Sequence, residues 1–281
     1  MDIINFLNEF TSHDLIKKTS SRREMLGTFG SLGKKAALAA LPFGLASTRA
    51  NAATQANEAI SALQLALTLE YLEADFYMKA LDSGVLPSGR AEAVYMQISK
   101  HETAHVNFLK AGLGDAAFDS PDFDFTVGGA FDPFNTNNDA AYAQLLVLAQ
   151  AFEDTGVRAY KGQATNLMGT PFLQPALRIH SVEARHAAEV RRLRADFLNE
   201  PLNQDLLPWI TLDNRGPGMP EVTQPVYNGE ENITQAGIDL TAITDFGAVS
   251  ASQSYDEPIS GETALQIATL FIDSCDKCPS F

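Results

Sequence analysis

From residue 56 onward, apolar positions recur every three or four residues in four long stretches, which is the spacing of one buried face on a helix. Asn57 to Leu81 contains neither Gly nor Pro and is rich in Ala, Leu and Glu, so it predicts a helix of about 25 residues. A second helix is expected from about Arg90 to Lys110, stopped by Gly112 and Gly114. The Asn137-Asn138-Asp139 cluster marks the start of a third, running to about Leu167. "MGTPFLQP" separates it from a fourth, Ala176 to Leu198, which Pro201 closes. Between the second and third helices, Gly114 to Asn138 is too turn-rich for a helix and too long for a tight hairpin. Fully extended, such a connection reaches ~80 Å and can cross the length of a bundle. The pattern therefore predicts an all-α protein, a four-helix bundle with one long crossover, and not an up-down-up-down bundle.

Polar residues interrupt the apolar stripes at matched places. In "HETAH", Glu102 precedes His105 by three residues, within a stripe of Val94, Ile98, Leu109 and Gly112. In "VEARH", Glu183 precedes His186 by three, within a stripe of Ile179, Val190, Leu193 and Phe197. Residues three apart share a helix face, so each pair can meet one ion. The first helix places Leu63, Leu67, Glu70, Ala74, Tyr77 and Leu81 on one face, and the third places Leu146, Glu153, Val157, Tyr160, Ala164 and Leu167. Each carries Glu followed seven residues later by Tyr, and the two halves read as a duplication. Glu73 competes with Glu70, but the Tyr spacing favours Glu70; Asp154 is assigned to a more polar face with Lys161. One Glu-x-x-His is ordinarily a solvated pair. Two, in register with two Glu-to-Tyr repeats, point to a site.

Charge decides what the site would hold. Four ionised carboxylates inside an apolar bundle repel each other, and each costs several kcal/mol to desolvate. Two divalent cations would neutralise them, with His105 and His186 as neutral imidazoles. An oxygen-rich set with one imidazole per ion suits iron or manganese. "LTLEYLEADFY", "HETAH" and "VEARH" resemble the ferritin-like superfamily over residues 56–200, especially the ferritin-like domain family of exported bacterial proteins and plant desiccation-related proteins. That resemblance implies a ferritin-like four-helix bundle with Glu70, Glu102, His105, Glu153, Glu183 and His186 as metal ligands, Glu102 and Glu183 bridging. It implies ferrous iron oxidation or oxygen and peroxide chemistry, or else a metal-binding, stress-protective structural protein without significant turnover. Tyr77 and Tyr160 are read as hydrogen-bond donors or electron relays behind the ligands, or simply as core. His101 and His180 flank the pairs out of phase. Arg158 and Arg185 are either carboxylate partners around the ligands or exposed.

A net charge of -15 disfavours nucleic acid and anionic lipid as partners and leaves small molecules; a homo-oligomer stays open. Near the N-terminus, Arg22 and Arg23 follow Ser21, an apolar run extends from Ala36 to Ala46 with Lys34 and Lys35 before it, and Ala50 and Ala52 fit an A-x-A cleavage site. Residues 1–52 thus resemble a twin-arginine export signal, implying a periplasmic or extracellular protein. No other apolar run approaches the ~20 residues of a membrane span, so no stable membrane insertion is expected after cleavage. Residues 201–281 form a loop-rich C-terminal extension expected to pack on the bundle, with Ser260 capping a helix in "SGETALQIATLFIDS". With two cysteines only, a four-thiolate metal site within the chain is excluded; a Cys275–Cys278 disulfide is preferred over a redox pair or free thiols.

Overall fold

A computed structural model of the chain describes residues 45–199, 206–275 and 278. The chain divides into two units, Met1–Ala52 and Ala53–Phe281, and the packing below is that of the second. Arg22, Arg23 and the beginning of the apolar run lie outside the described residues, whereas Ala50 and Ala52 fall within the first described helix. Among the described residues no helix is long and apolar enough to cross a membrane.

Four long helices carry the fold: α1 (Leu45–Asp82), α2 (Arg90–Leu113), α3 (Ala141–Gln163) and α4 (Leu173–Leu198). Their limits follow local chemistry. Helix α1 starts earlier than the apolar pattern indicates, because no Gly or Pro follows Gly44 until Gly84. Helix α2 is set between Gly89 and Gly114, both at positive φ. Helix α3 is entered through Asn138, whose side chain accepts from the Ala140 N–H at 3.0 Å, and its last predicted turn tightens into a 3-10 turn over Ala164–Leu167. Helix α4 begins before Ala176, since Pro175 lies in a first turn where its missing N–H has no helical partner anyway. It ends on left-handed Asn199.

Aromatic side chains fasten the crossover. Phe118, Phe123, Phe125 and Phe131 are buried, and Tyr71 of α1 donates to the Phe118 carbonyl at 2.7 Å. Phe76 sits at the centre of the cluster, with ring centroids 5.5 Å from Phe125, 6.0 Å from Phe134 and 5.1 Å from Phe152. Strand β1 (Asp122–Phe123) pairs antiparallel with the final strand, tying crossover to extension.

The extension continues with a 3-10 turn (Glu221–Val226), the ribbon β2 (Thr234–Gln235) and β3 (Ile238–Asp239), and short helices α5 (Leu240–Ile243) and α6 (Ala248–Ser252). Helix α7 (Gly261–Thr269) and strand β4 (Ile272–Ser274) follow. As expected, the Ser260 side chain caps α7 by accepting from the Thr263 N–H. A Cβ at Gly162 of α3 would lie 2.0 Å from the Ile259 carbonyl oxygen, so the close seating of extension on bundle requires glycine there. Cys275 and Cys278 are joined in a disulfide. The molecule is thus mostly helical, a bundle with a loop-rich extension. Phe197 departs from its expected place in the α4 stripe: it is 46% exposed and meets Tyr142 edge-on in the last turn of α4.

Candidate metal centre

Each long helix of the bundle delivers a carboxylate to one interior point. Glu70 comes from α1, Glu102 from α2, Glu153 from α3 and Glu183 from α4, and all four are fully buried. Their donor atoms fall into two groups, Glu70, Glu102, His105 and Glu183 in one, Glu102, Glu153, Glu183 and His186 in the other, each spanning no more than 4.8 Å. Glu102 and Glu183 belong to both. The His105 Nδ1 lies 2.9 Å from Glu102 Oε2, 3.1 Å from Glu70 Oε2 and 3.4 Å from Glu183 Oε1. Its counterpart, His186 Nδ1, lies 3.0 Å from Glu102 Oε1, 3.2 Å from Glu153 Oε2 and 3.8 Å from Glu183 Oε2.

The tyrosines close this arrangement by crossing over. Tyr77 of the first half donates to Glu153 Oε1 of the second at 2.5 Å, and Tyr160 of the second half donates to Glu70 Oε1 of the first. Each outer carboxylate is thereby held by one oxygen, which leaves the other turned toward the shared pair.

That inner face is short of partners. Glu102 Oε1, Glu153 Oε2, both Glu183 oxygens and His186 Nδ1 are buried without a hydrogen bond. His186 Nδ1 approaches two of these oxygens within 3.2 Å without hydrogen-bond geometry, so the groups converge on common space instead of on each other. Each unsatisfied buried polar atom costs about 1–3 kcal/mol, more when charged. Among the described residues no Lys or Arg forms an ion pair with the cluster. Hard oxygen donors with one imidazole per group, several of them without a partner, form a set that could hold metal.

Without cations, protons must supply the missing charge. Burial pushes Glu70 up to about 8 against the opposing bond to His105. It also raises Glu183 well above the carboxylate range, reinforced by Glu102, and raises Glu153. For His105, burial works downward, but bonds to Glu102 and Glu70 overcome it and push the imidazole up to about 11. Burial works upward on Glu102, yet the bond with His105 and the nearby His186 imidazole hold it at about 2.

The neighbouring residues sort differently from their sequence assignments. His101 reaches the site: its Nδ1 lies 2.8 Å from His186 Nε2, with Gln97 at 2.7 Å from its other nitrogen. His180 does not, donating instead to the Val157 carbonyl at 2.9 Å. Arg185 is exposed. Arg158 is buried but serves the extension, pairing with Glu230 at 2.7 Å and donating to the carbonyls of Val226, Asn228 and Glu257. Asp154 was expected on a polar face with Lys161; it is buried, bonded to Arg191 at 2.5 Å and Tyr227 at 2.9 Å. The extension covers that face, which helix periodicity alone does not reveal. Glu73 is buried as well, but the donor group takes Glu70 and not Glu73.

Residues 58–196 match the sequence model of a family described as a ferritin-like domain. The segment is a ferritin-like domain. Comparison of the whole chain with curated proteins gave no match. The matched residues run from α1 to the last turns of α4 and include every side chain of both donor groups. Buried carboxylate and imidazole groups that could bind metal therefore lie within the ferritin-like domain. Glu230 and Tyr227, which brace α3 from outside the domain, carry no sequence signal beyond standing in a Pro/Gly-rich stretch.

Proposed function

We propose that Glu70, Glu102, His105, Glu153, Glu183 and His186 hold two divalent cations, iron or manganese, and that the centre oxidises ferrous iron or handles oxygen or peroxide. The observation that carries this reading is the sharing of Glu102 and Glu183 between both donor groups, with unpartnered oxygens turned inward. When bound, the ions would supply paired redox-active centres able to bind a small oxidant. The chain's own residues orient and enclose them. Tyr77 and Tyr160 fix Glu153 and Glu70. With His186 Nδ1 facing the carboxylates, its Nε2 lies 2.8 Å from His101 Nδ1, a contact that fixes the ring plane. Burial of Leu67, Ile98, Leu109 and Val190 keeps the surroundings dry.

Protein loaded with iron or manganese is expected to consume oxygen or peroxide, and Glu102→Ala and Glu183→Ala should abolish that turnover. Rates that never exceed those of the free metal, with a melting temperature that falls on metal removal, would favour a structural, stress-protective role. Export through a twin-arginine route is part of the same proposal, supported by Arg22-Arg23 and by a disulfide suited to an oxidising compartment. Replacing both arginines by lysine should retain the protein in the cytoplasm; unchanged export would contradict the route.

A further inference from the structure

The extension does more than brace α3, because together with the crossover it walls off a cavity. About 370 Å³ of space lies where the crossover, α3, the 3-10 turn over Glu221–Val226 and the end of α7 meet. Phe131 lines it from the crossover, Ala151 and Phe152 from α3, Val226 from the turn and Phe271 from just beyond α7. None of the donor residues of the metal centre lines it, so it is a separate place in the fold. Folded interiors are close-packed and hold few voids larger than a water molecule. A space of this size between four chain segments calls for an occupant.

The wall dictates the chemistry of that occupant. Its polar side chains are already engaged: Glu221 pairs with Arg215 at 2.8 Å, and Thr223 donates to the Pro220 carbonyl at 2.7 Å. Thr263 lies 2.9 Å from the Ser260 hydroxyl, and Gln266 donates to Glu262 at 3.3 Å. A buried water needs about two to four polar partners, which this wall does not spare. No Lys, Arg or His lines the space among the described residues, so an anionic group would be buried there unmatched, and its one acid already has a cation. Size is equally selective. One turn of helix, about 10 Å across and about 5.4 Å high, fills ~420 Å³, more than the whole cavity, so a docked helix does not fit. A dry cavity of about 150 Å³ accepts one benzene ring, which gives this one room for about two to three rings. Phe152 and Phe271 meet edge-to-face at 4.9 Å, offering a ring the perpendicular geometry that aromatic pairs prefer. Val222 and Leu270, both on the wall and 49% and 46% exposed, form apolar lips open to solvent. We propose that the cavity binds an uncharged aromatic molecule of about two to three rings, admitted past Val222 and Leu270. The site owes nothing to the metal-binding reading and stands without it.

Fluorescence titration of the full-length protein with N-phenyl-1-naphthylamine, an uncharged probe that brightens on leaving water, tests the assignment. One saturable site per chain is expected, and the probe should raise the melting temperature. 8-Anilinonaphthalene-1-sulfonate, the same rings with an added negative charge, should bind about tenfold more weakly or worse, for want of a cation in the wall. Ala151→Phe fills the space from α3 and should weaken the uncharged probe by about tenfold or more. Should that core substitution disturb folding, Val222→Asp decides: it lies on an exposed lip, should melt like the unsubstituted protein, and should weaken the probe by about threefold or more. Absence of a saturable site, equal binding of the sulfonate, or a probe affinity unchanged in Val222→Asp would each overturn the proposal. Mn(II) uptake is measured separately, so failure here leaves the metal centre standing.

Discussion

Glu153 and Asp154 are neighbours on one helix, both buried, both acidic, and the protein treats them in opposite ways. Around Asp154 the chain supplies everything needed. Arg191 and Tyr227 bond its carboxylate, Gln150 donates to the Tyr227 hydroxyl at 2.9 Å, and Arg194 donates to Gln150 and to the Pro217 carbonyl. Around Glu153 the chain supplies one tyrosine hydroxyl, and the second oxygen meets the His186 imidazole at 3.2 Å without hydrogen-bond geometry. A buried acid answered by the chain's own cation is part of the scaffold. One left without a lysine or arginine partner is a candidate metal ligand.

That contrast predicts opposite signs for similar substitutions, and the largest effect lies at the shared carboxylates. Glu102→Ala and Glu183→Ala should each abolish stoichiometric metal binding, measured by elemental analysis. Glu183→Gln should raise the melting temperature of the metal-free protein, because it removes the cost of keeping that buried carboxyl protonated at neutral pH. Asp154→Ala and Arg191→Met should do the reverse, lowering stability by about 3–5 kcal/mol in denaturant unfolding by leaving one partner buried and unpaired. Metal stoichiometry should persist wherever those variants remain folded.

A smaller effect separates the regions by pH. The folded-state pKa of Glu70 is raised to about 8, so its protonated form contributes stability that is fully present below about 4.5 and is lost as pH rises through about 8. His105, raised to about 11, adds to the loss above its ordinary value of 6.5, because the folded state keeps a proton that the unfolded chain gives up. Thermal melts of the metal-free protein should therefore show stability falling between pH 5 and 9, on the order of 1 kcal/mol per pH unit for such a group. Bound metal displaces these protons, so metal affinity should rise with pH over the same range. Smaller again is the effect of the crossed tyrosines. Tyr77→Phe and Tyr160→Phe should weaken metal binding by about 10–100-fold, the usual consequence of losing a partner that orients a ligand, without altering stoichiometry.

What could be read in the sequence was what helix geometry encodes locally. Glu102 with His105 and Glu183 with His186 announced themselves by three-residue spacing, and Glu70 and Glu153 by their distance to Tyr77 and Tyr160. The four helices and the long crossover followed from Gly, Pro and Asn punctuation. Partners distant in the chain could not be read in this way. Nothing in the Glu-to-Tyr spacing says that each tyrosine bonds the glutamate of the other half. Asp154 resembled a surface residue, and Arg158 a carboxylate partner of the ligands or an exposed one, because their partners, Tyr227 and Glu230, lie some 70 residues downstream in an extension without helical period. His101 is out of phase with Glu102 on its own helix, yet α4 brings His186 within its reach. Glu73 and Glu70 looked like competitors, and the tyrosine rule chose Glu70, which stands in a donor group where Glu73 does not.

The central claim is that the interior acids wait for cations that the chain does not provide. Anomalous diffraction from crystals of the protein equilibrated with Mn(II) tests it most directly. Two peaks flanking Glu102 and Glu183, each within bonding distance of one imidazole, are the predicted result. Peaks confined to surface carboxylates, with the interior oxygens unchanged, would contradict it.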